Sequence, residues 1–311
     1  MNMSEFEAEI DHLRSVTLIV KDLTESIDFY TKTWGLHVVD QGEHMVQLRA
    51  RGEEHHVLEL RQGSEIGLHS ISWGTPSLEH LKRMCERIRS LGVVISSEPH
   101  ELKEHSGGFG FSFLDPEGRV HNVVSGSQKY SPLHIESLVD GACPTKLSHV
   151  VVNTLDVAKM SHFLQSVLGF KLSDSTHKMH FFRCNANHHS IALADFGSVS
   201  LNHVAFEMGS WNELMFGVGR VKLAGYELQW GLGRHGPGDN IFSYFLDPNG
   251  LVVEYTAEVQ QITNPSWVPG SPDQWARPPE RMDQWGFSPQ PSDVIKKAMG
   301  GQLGLSGKIA A

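Results

Sequence analysis

The second half of the chain contains three side chains of the types that bind a divalent metal ion, His149, His203 and Glu254. Each lies in a segment that also occurs in the first half, where the matching positions carry two hydroxyls and an amide. Those positions are Ser15, Ser70 and Asn122. Two imidazoles and a carboxylate on one face hold iron(II), manganese(II) or zinc(II) and leave coordination positions open, whereas hydroxyl and amide groups bind such ions poorly. The change at all three positions together predicts a metal site in the second half.

Two consecutive histidines lie between these residues in the sequence. His188 and His189 are predicted to lie on a strand, so their side chains point to opposite faces and only one of them faces a cavity. The alternation of the apolar residues that follow does not decide which one. The first half has the same doublet at residues 55–56, so the pair alone is also consistent with a role in the scaffold.

Two further residues follow near the end of the second half. His235 lies in a glycine-rich loop, residues 231–238, whose glycines allow a close approach of backbone to a ligand. The loop lacks the helix and the Lys-Ser/Thr pair of a phosphate-binding loop, and a solvent-exposed loop histidine is the alternative. Tyr244 follows on the next predicted strand, where a tyrosine alone would be an ordinary β-sheet aromatic.

The chain is an internal duplication, which indicates how these residues are positioned. Four segments recur at a nearly constant offset; one is the Asp-Pro-x-Gly turn, at 115–118 and again at 247–250. The first half reads as a strand, a helix and three strands over 13–62, followed by a second strand, helix and strands over 68–125. Asp22 and Asp156 are the predicted N-caps of the first helix in each half.

We therefore predict an α+β fold of two tandem domains, residues 10–130 without a catalytic site and residues 145–258 with the metal site. Each domain contains paired βαβββ modules whose mostly antiparallel sheet curls around a cavity. Residues 259–311 hold half of the 14 prolines and three of the seven tryptophans. This composition predicts an extended arm that packs on the body, ends in a short helix after Ser292 and is a candidate lid.

The composition of the 311 residues excludes several classes of protein. A net charge of −10 argues against a nucleic-acid partner, which requires a basic face. There is no apolar run of membrane-spanning length and no secretory signal at the acidic start, so we expect a cytoplasmic protein. The three cysteines, at wide spacing, are expected to be reduced thiols. The 19 histidines are the unusual feature of the composition.

With these residues in place, residues 10–258 resemble a type I extradiol ring-cleaving dioxygenase of the vicinal oxygen chelate superfamily. The most specific match is the run GxGRHGxxxxxFxYxxDPxGxxxE, which this chain carries from Gly231 to Glu254. The strands around His149 and His203, and the histidine doublet, also match the family.

The resemblance implies a catecholic substrate, dioxygen as co-substrate and a homo-oligomeric assembly. It implies that His149, His203 and Glu254 bind iron(II), less often manganese(II). It also assigns an acid–base role to His189 and hydrogen bonding of the substrate to His235 and Tyr244. These assignments come from the family and not from spacing alone.

Two alternatives remain at this point. The chain could be another metal-dependent member of the superfamily, such as a 4-hydroxyphenylpyruvate-type dioxygenase or a glyoxalase-like isomerase, but those lack the set His189, His235 and Tyr244. It could also be a non-catalytic binding protein, which has no need of metal ligands. Trp230 stands where some arylacetate-cleaving relatives place an arginine, which favours a neutral or bulkier aromatic substrate.

Overall fold

The computed structural model describes residues 9–133, 141–278, 281–305 and 307–308. The first half contains eight strands and two helices, the first of which continues into a π-helical turn at Phe29–Thr33. The elements of this half are β1 (His12–Val20), α1 (Leu23–Asp28), β2 (His37–Gln41), β3 (Met45–Arg49), β4 (Leu58–Gln62), β5 (Gly67–Gly74), α2 (Leu78–Ser90), β6 (Ile95–Glu101), β7 (Phe109–Leu114) and β8 (Val120–Ser125).

The second half repeats this order of elements, and the arm adds a 3₁₀ turn, Pro272–Trp275, and one helix. The elements of this half are β9 (Lys146–Thr154), α3 (Val157–Ser166), β10 (Lys171–Ser175), β11 (Met179–Arg183), β12 (Ile191–Asp195), β13 (Ser200–Glu207), α4 (Trp211–Leu223), β14 (Trp230–Arg234), β15 (Ile241–Leu246), β16 (Val252–Ala257) and α5 (Asp293–Met299). No helix in the described ranges is long and apolar enough to cross a membrane.

Each half forms one eight-stranded sheet, and the two sheets have the same strand order. The orders are β2-β3-β4-β1-β5-β8-β7-β6 and β10-β11-β12-β9-β13-β16-β15-β14. Within each sheet two strand pairs are parallel, such as β1 with β4 and β5 with β8, and the other pairs are antiparallel. The predicted α+β class with tandem, paired βαβββ modules is therefore confirmed. The sheets curl without closing, and the predicted residue boundaries of the domains remain predictions.

Aspartate side chains accept backbone hydrogen bonds where helices begin and where the chain turns between strands. Asp22 accepts a hydrogen bond from the backbone N–H of Glu25, and Asp156 accepts one from Lys159, as expected of helix N-caps. In the Asp-Pro turn of the second half, the Asp247 carboxylate accepts from the backbone N–H groups two and four residues further on. The turn therefore holds the end of β15 in register with the start of β16.

Aromatic side chains pack the two halves together. Trp34 is fully buried and stacks on Tyr255 of the second sheet with ring centroids 3.7 Å apart. Its indole also meets Phe206 and Phe245 edge to face. The Tyr255 hydroxyl donates to the Trp34 carbonyl at 2.5 Å. Because β13, which carries Phe206, and β16, which carries Tyr255, also carry the candidate site, this packing holds the site strands against the first half.

We expect Trp34→Ala to lower the free energy of unfolding by about 3–5 kcal/mol, the usual cost of deleting a buried indole. Leu223→Ala is the control, because Leu223 is 91% exposed and should change stability by less than about 0.5 kcal/mol. Urea unfolding followed by circular dichroism measures both. Equal midpoints for the two variants would contradict this description of the core.

The arm packs along the second half. The Trp267 indole donates to the Ser173 carbonyl at 2.7 Å, and the backbone of Gly270 pairs with that of Ser175. The short helix predicted after Ser292 is α5, and the Ser292 hydroxyl caps it by accepting from the backbone N–H of Ile295. Trp285 is only partly covered, with 45% of its surface exposed, because its main aromatic partner is the half-exposed indole of Trp211.

Candidate metal centre

Three adjacent strands carry His149, His203 and Glu254. His149 lies on β9, His203 on β13 and Glu254 on β16, and these strands are consecutive neighbours in the second sheet. In register, Ala205 of β13 lies opposite His149 on one side and opposite Glu254 on the other. The sheet therefore places His149 and Glu254 at one level, and His203, two residues before Ala205, lies on the same face of β13.

The three side chains converge in the interior of the protein. Glu254 Oε2 lies 3.2 Å from His149 Nε2 and 3.2 Å from His203 Nε2. One nitrogen or oxygen atom from each residue lies within 4.8 Å of the other two, and all three residues are buried. In the described part of the chain, this is the one group of three or more such side chains with that geometry.

The neighbouring side chains orient the two imidazoles. The Asn202 side-chain oxygen can only accept, so His203 Nδ1, 2.8 Å away, donates to it and Nε2 carries the lone pair. His149 Nδ1 lies 3.2 Å from the Ser148 hydroxyl. A metal-binding histidine needs this arrangement, in which the outer nitrogen is held and the inner one is free to coordinate.

The charges of the group also fit a divalent cation. Burial alone raises the pKa of Glu254, but the imidazoles of His149 and His203 outweigh it and hold that pKa well below the ordinary value of a glutamate. His203 Nε2 and Glu254 Oε2 are buried and have no hydrogen bond of good geometry among the described residues. An ionised carboxylate facing imidazole lone pairs, all withdrawn from water, is a donor set completed by a metal ion.

The first half shows what the same positions do without metal-binding side chains. Ser72 of β5 lies opposite Asn122 of β8, as Ala205 lies opposite Glu254. The Asn122 amide donates to Ser70 and Ser72, each at 3.1 Å. These three groups satisfy one another, so at Ser70 and Asn122 the described first half does not repeat the unsatisfied donors of the second.

A cavity of about 310 Å³ opens onto the triad, close to the lower limit of roughly 300 Å³ for small-molecule sites. Aromatic, methionine and proline side chains form most of its wall. They include Phe181, Phe196, Trp230, Met179, Met299 and Pro237. Met299 belongs to α5, so the arm contributes one side of the pocket.

His189 faces this cavity, with its ring centroid 4.1 Å from that of His149. The doublet precedes β12, which begins at Ile191, so the prediction that both histidines lie on the strand is wrong by two residues for His189 and three for His188. Their side chains still diverge, because His188 Nε2 lies 2.8 Å from Asp174 Oδ2 on the other side.

Asp174 fixes the tautomers of the doublet. In the neutral form of His188 the carboxylate accepts the proton of Nε2, so Nδ1 is an acceptor and His189 Nδ1, 3.0 Å away, donates to it. His189 Nε2 then carries a lone pair. Burial, with the neighbouring His149, lowers the pKa of His189 well below its ordinary value, so the ring is neutral.

His235 and Tyr244 form a second polar pair in the cavity. His235 Nε2 lies 3.0 Å from the Tyr244 hydroxyl, and its ring stacks on Phe242 with centroids 3.9 Å apart. Burial lowers the pKa of His235 to about 4 and raises the pKa of Tyr244 well above its ordinary value. Both groups are therefore uncharged hydrogen-bonding partners near neutral pH.

The glycine-rich loop is close to the histidine doublet. Gly238 has φ +82°, and a Cβ at this position would lie 3.2 Å from His188 Nδ1 and 3.3 Å from His189 Cε1. A side chain is thus disfavoured by the backbone conformation and by the limited space. The close neighbour of the loop backbone in the structure is the histidine doublet, and the predicted approach to a ligand stays a prediction.

Sequence patterns gave no role to Asp174 or Asn240. The Asn240 amide lines the cavity and donates to Thr256 at 2.7 Å. The repeat contained one usable signal, since Asp40 occupies the position of Asp174 in the first half. There Asp40 forms an ion pair with His105 at 3.0 Å, so the shared residue type alone would not have shown the contact.

The fold and the site define the class of protein. The sequence profile of the Glyoxalase/Bleomycin resistance protein/Dioxygenase superfamily matches residues 9–120 and again residues 146–255, one match for each sheet. The chain belongs to this superfamily.

Individual relatives are more distant. The chain is 30% identical over 205 residues to metapyrocatechase 2 of Cupriavidus necator, and this match covers 60% of the chain but 63% of the relative, less than two thirds of its length. It is 24% identical to the manganese-dependent 2,3-dihydroxybiphenyl 1,2-dioxygenase of Geobacillus genomosp. 3, over 84% of this chain and 90% of that one. The crystal structure of the Mn(II)-bound glyoxalase from Novosphingobium aromaticivorans is similar with a TM-score of 0.85 and 34% identity, and the match covers 92% of this chain and 94% of that one.

Proposed function

We propose that this protein is an extradiol dioxygenase that cleaves the ring of a catechol next to its two hydroxyls. The observation that carries the proposal is one cavity lined by His149, His203, His189 and the His235–Tyr244 pair, with Glu254 3.2 Å from both His149 and His203. The names of the dioxygenase relatives support the same reaction. One catechol and one dioxygen combine, a ring C–C bond breaks, and both oxygen atoms enter a muconic semialdehyde-type product.

His149, His203 and Glu254 would hold the metal ion. When bound, iron(II) or manganese(II) supplies Lewis acidity toward the catechol hydroxyls and the redox chemistry that activates dioxygen. His149 and His203 line the cavity, so an ion that they held would be within reach of a substrate bound there. We expect iron(II), with manganese(II) as the alternative that two relatives' names carry.

His189 would move protons. Its Nε2 lone pair is directed by the contact of Nδ1 with His188, and its ring lies against His149. A neutral imidazole at this position accepts a proton from a substrate hydroxyl and returns it to a product oxygen. Asp174 acts through His188 as a positioning residue, since it holds the tautomer that leaves His189 Nε2 free.

His235 and Tyr244 would hold the substrate oxygens, and the apolar wall would bind the ring. Phe181 and Trp230 supply aromatic surface that excludes water from the reacting atoms. The cations of the lining are the lysines Lys178 and Lys296. From Trp230, which lines the cavity, we expect a neutral or bulky aromatic catechol. A homo-oligomer and a cytoplasmic location remain predictions.

A metal-dependent isomerase is the second candidate, and the name of the structurally similar glyoxalase favours it. An isomerase needs a metal and a base, which the triad and His189 would also provide. It would rearrange its substrate without consuming dioxygen. Oxygen consumption therefore separates the two candidates.

Anaerobic loading with iron(II) or manganese(II), followed by aerated mixing with a panel of catechols, tests the proposal. A yellow ring-fission product from at least one catechol, lost on chelation of the metal, is the expected result. Stoichiometric metal binding without cleavage of any catechol, together with turnover of a 2-oxoaldehyde thiohemiacetal, would instead establish the isomerase.

We expect Tyr244→Phe to lower kcat/KM for the catechol by about tenfold, equivalent to about 1.4 kcal/mol, because one hydrogen bond to a charged substrate oxygen is lost. The metal content should not change, because the substitution removes a hydroxyl that interacts with His235 and Glu254 but removes none of the three metal ligands. Steady-state kinetics alongside metal analysis measures both. Wild-type kcat/KM in this variant would exclude the hydroxyl from substrate binding.

A further inference from the structure

The first half contains a cavity of its own, of about 350 Å³, at the place that corresponds to the candidate metal centre. Ser70, Asn122 and His56 line it, and their counterparts in the second half are His203, Glu254 and His189. The cavity is open to the surface on one side, since several of its lining side chains, among them Arg61 and His100, are exposed. A half that served only as scaffold could have filled this space with apolar side chains, but the wall here is mostly polar.

A buried guanidinium faces this cavity. Arg14 is 4% exposed and lines the pocket, at the bulge where β1 shifts register against β5 between Leu13 and Ser15. A charged group at this depth is costly unless its hydrogen bonds are satisfied.

The contacts of Arg14 are all long. Its Nη2 donates to the Ser106 hydroxyl at 3.4 Å, its Nη1 lies 3.5 Å from His56 Nε2, and its Nε lies 3.7 Å from Glu54 Oε2. Arg14 Nε has no hydrogen-bond partner among the described residues. The Glu54 carboxylate also pairs with His12, whose Nε2 lies 3.1 Å from Oε1, and with the Lys129 ammonium.

The other carboxylates near the cavity do not supply the hydrogen-bond acceptor that the Arg14 guanidinium lacks. Glu59 accepts from Gln47 at 2.7 Å and from Arg61 at 2.6 Å. Glu104 is exposed and reaches Arg14 through the Ser106 hydroxyl, which lies 3.3 Å from its carboxylate. Burial, the largest influence, lowers the pKa of Arg14, and Glu104 and Glu59 oppose it only in part.

We propose that the first-half cavity binds a small oxyanion, a carboxylate or a phosphate, on the guanidinium of Arg14. The planar fork of arginine matches both groups in a bidentate geometry, and binding would give Nε its missing acceptor. The hydroxyls of Ser70 and Ser72 in the same wall provide neutral hydrogen bonds. The site is independent of the proposed dioxygenase reaction and of the metal.

The test is a titration of the full-length chain with acetate, benzoate and inorganic phosphate at constant ionic strength, with chloride as the control anion. The ¹H–¹⁵N signal of Arg14 Nε is followed and is assigned by its absence in Arg14→Lys. We expect a saturable shift of this signal with a carboxylate, with phosphate or with both, and none with chloride. Comparison of the carboxylate titrations with the phosphate titration identifies which oxyanion the site prefers.

Variants provide a second readout by calorimetry. Arg14→Lys should weaken binding by about tenfold or more, because the fork is lost although the charge remains. Arg83→Lys is the matched control, since Arg83 pairs with Glu9 on the surface and should change affinity less than about threefold. A non-saturating shift in the wild-type chain would overturn the proposal. So would equal affinity in Arg14→Lys, and if that variant does not fold, the wild-type titration decides alone.

Discussion

Glu254→Gln should purify without stoichiometric metal and lose at least about a thousandfold in kcat/KM. The substitution keeps the shape of the side chain but removes the charge that two imidazoles face at 3.2 Å. A bound metal contributes several kcal/mol to stabilising charge in a transition state, and each 1.36 kcal/mol is a factor of ten in rate. His149→Ala and His203→Ala should have the same effect on metal content, because each removes one of three ligands.

The duplication supplies the control for this prediction. Asn122→Ala changes the matching position of the first half. There the Asn122 amide nitrogen donates to Ser70 and Ser72, and its side-chain oxygen accepts from the Ser112 hydroxyl. It should leave metal content and activity unchanged. Metal analysis by mass spectrometry of both variants is the measurement. A Glu254→Gln protein with full metal occupancy would show that the ion, if bound, lies elsewhere.

His189→Ala should retain metal and bind the catechol but turn over about 10²- to 10⁴-fold more slowly, the range expected when a positioned acid–base group is lost. The residue lies beside His149 without sharing its contact to Glu254, so the triad stays intact. The loss should fall on kcat and not on KM. Stopped-flow kinetics under saturating catechol separates substrate binding from turnover.

His56→Ala is the matched control, since His56 holds the position of His189 in the first half and contacts His55 at 3.1 Å in the same way. It should leave kcat unchanged. Retention of full kcat by His189→Ala would remove this residue from the chemistry and assign proton transfer to the His235–Tyr244 pair.

Much of the fold could be predicted from the sequence because the duplication tests each prediction twice. Asp22 and Asp156 begin equivalent helices, and the two Asp-Pro turns join equivalent strands. The three metal-binding residues could be predicted from the sequence for the same reason. Where the first half has a serine or an asparagine, the sheet evidently forms without the metal-binding side chain that the second half has there. A single copy of the domain offers no such comparison.

The rest depends on contacts between segments distant in sequence. The orientation of His188 and His189 is decided by Asp174, which lies 14 residues before His188 and across two strands. Alternation of residue types contains no information about such a partner. The contribution of Met299 to the cavity wall depends on where the arm returns to the body, and a proline-rich composition does not specify this.

The most direct test of the central claim is the stoichiometry of oxygen consumption by the metal-loaded protein. An oxygen electrode and mass spectrometry of the product, with a catechol that is turned over, give both numbers in one experiment. We predict one dioxygen consumed per catechol, a product heavier than the catechol by two oxygen atoms, and no hydrogen peroxide. Conversion of substrate without oxygen consumption, or oxygen consumed with release of peroxide and an intact ring, would contradict extradiol cleavage at this site.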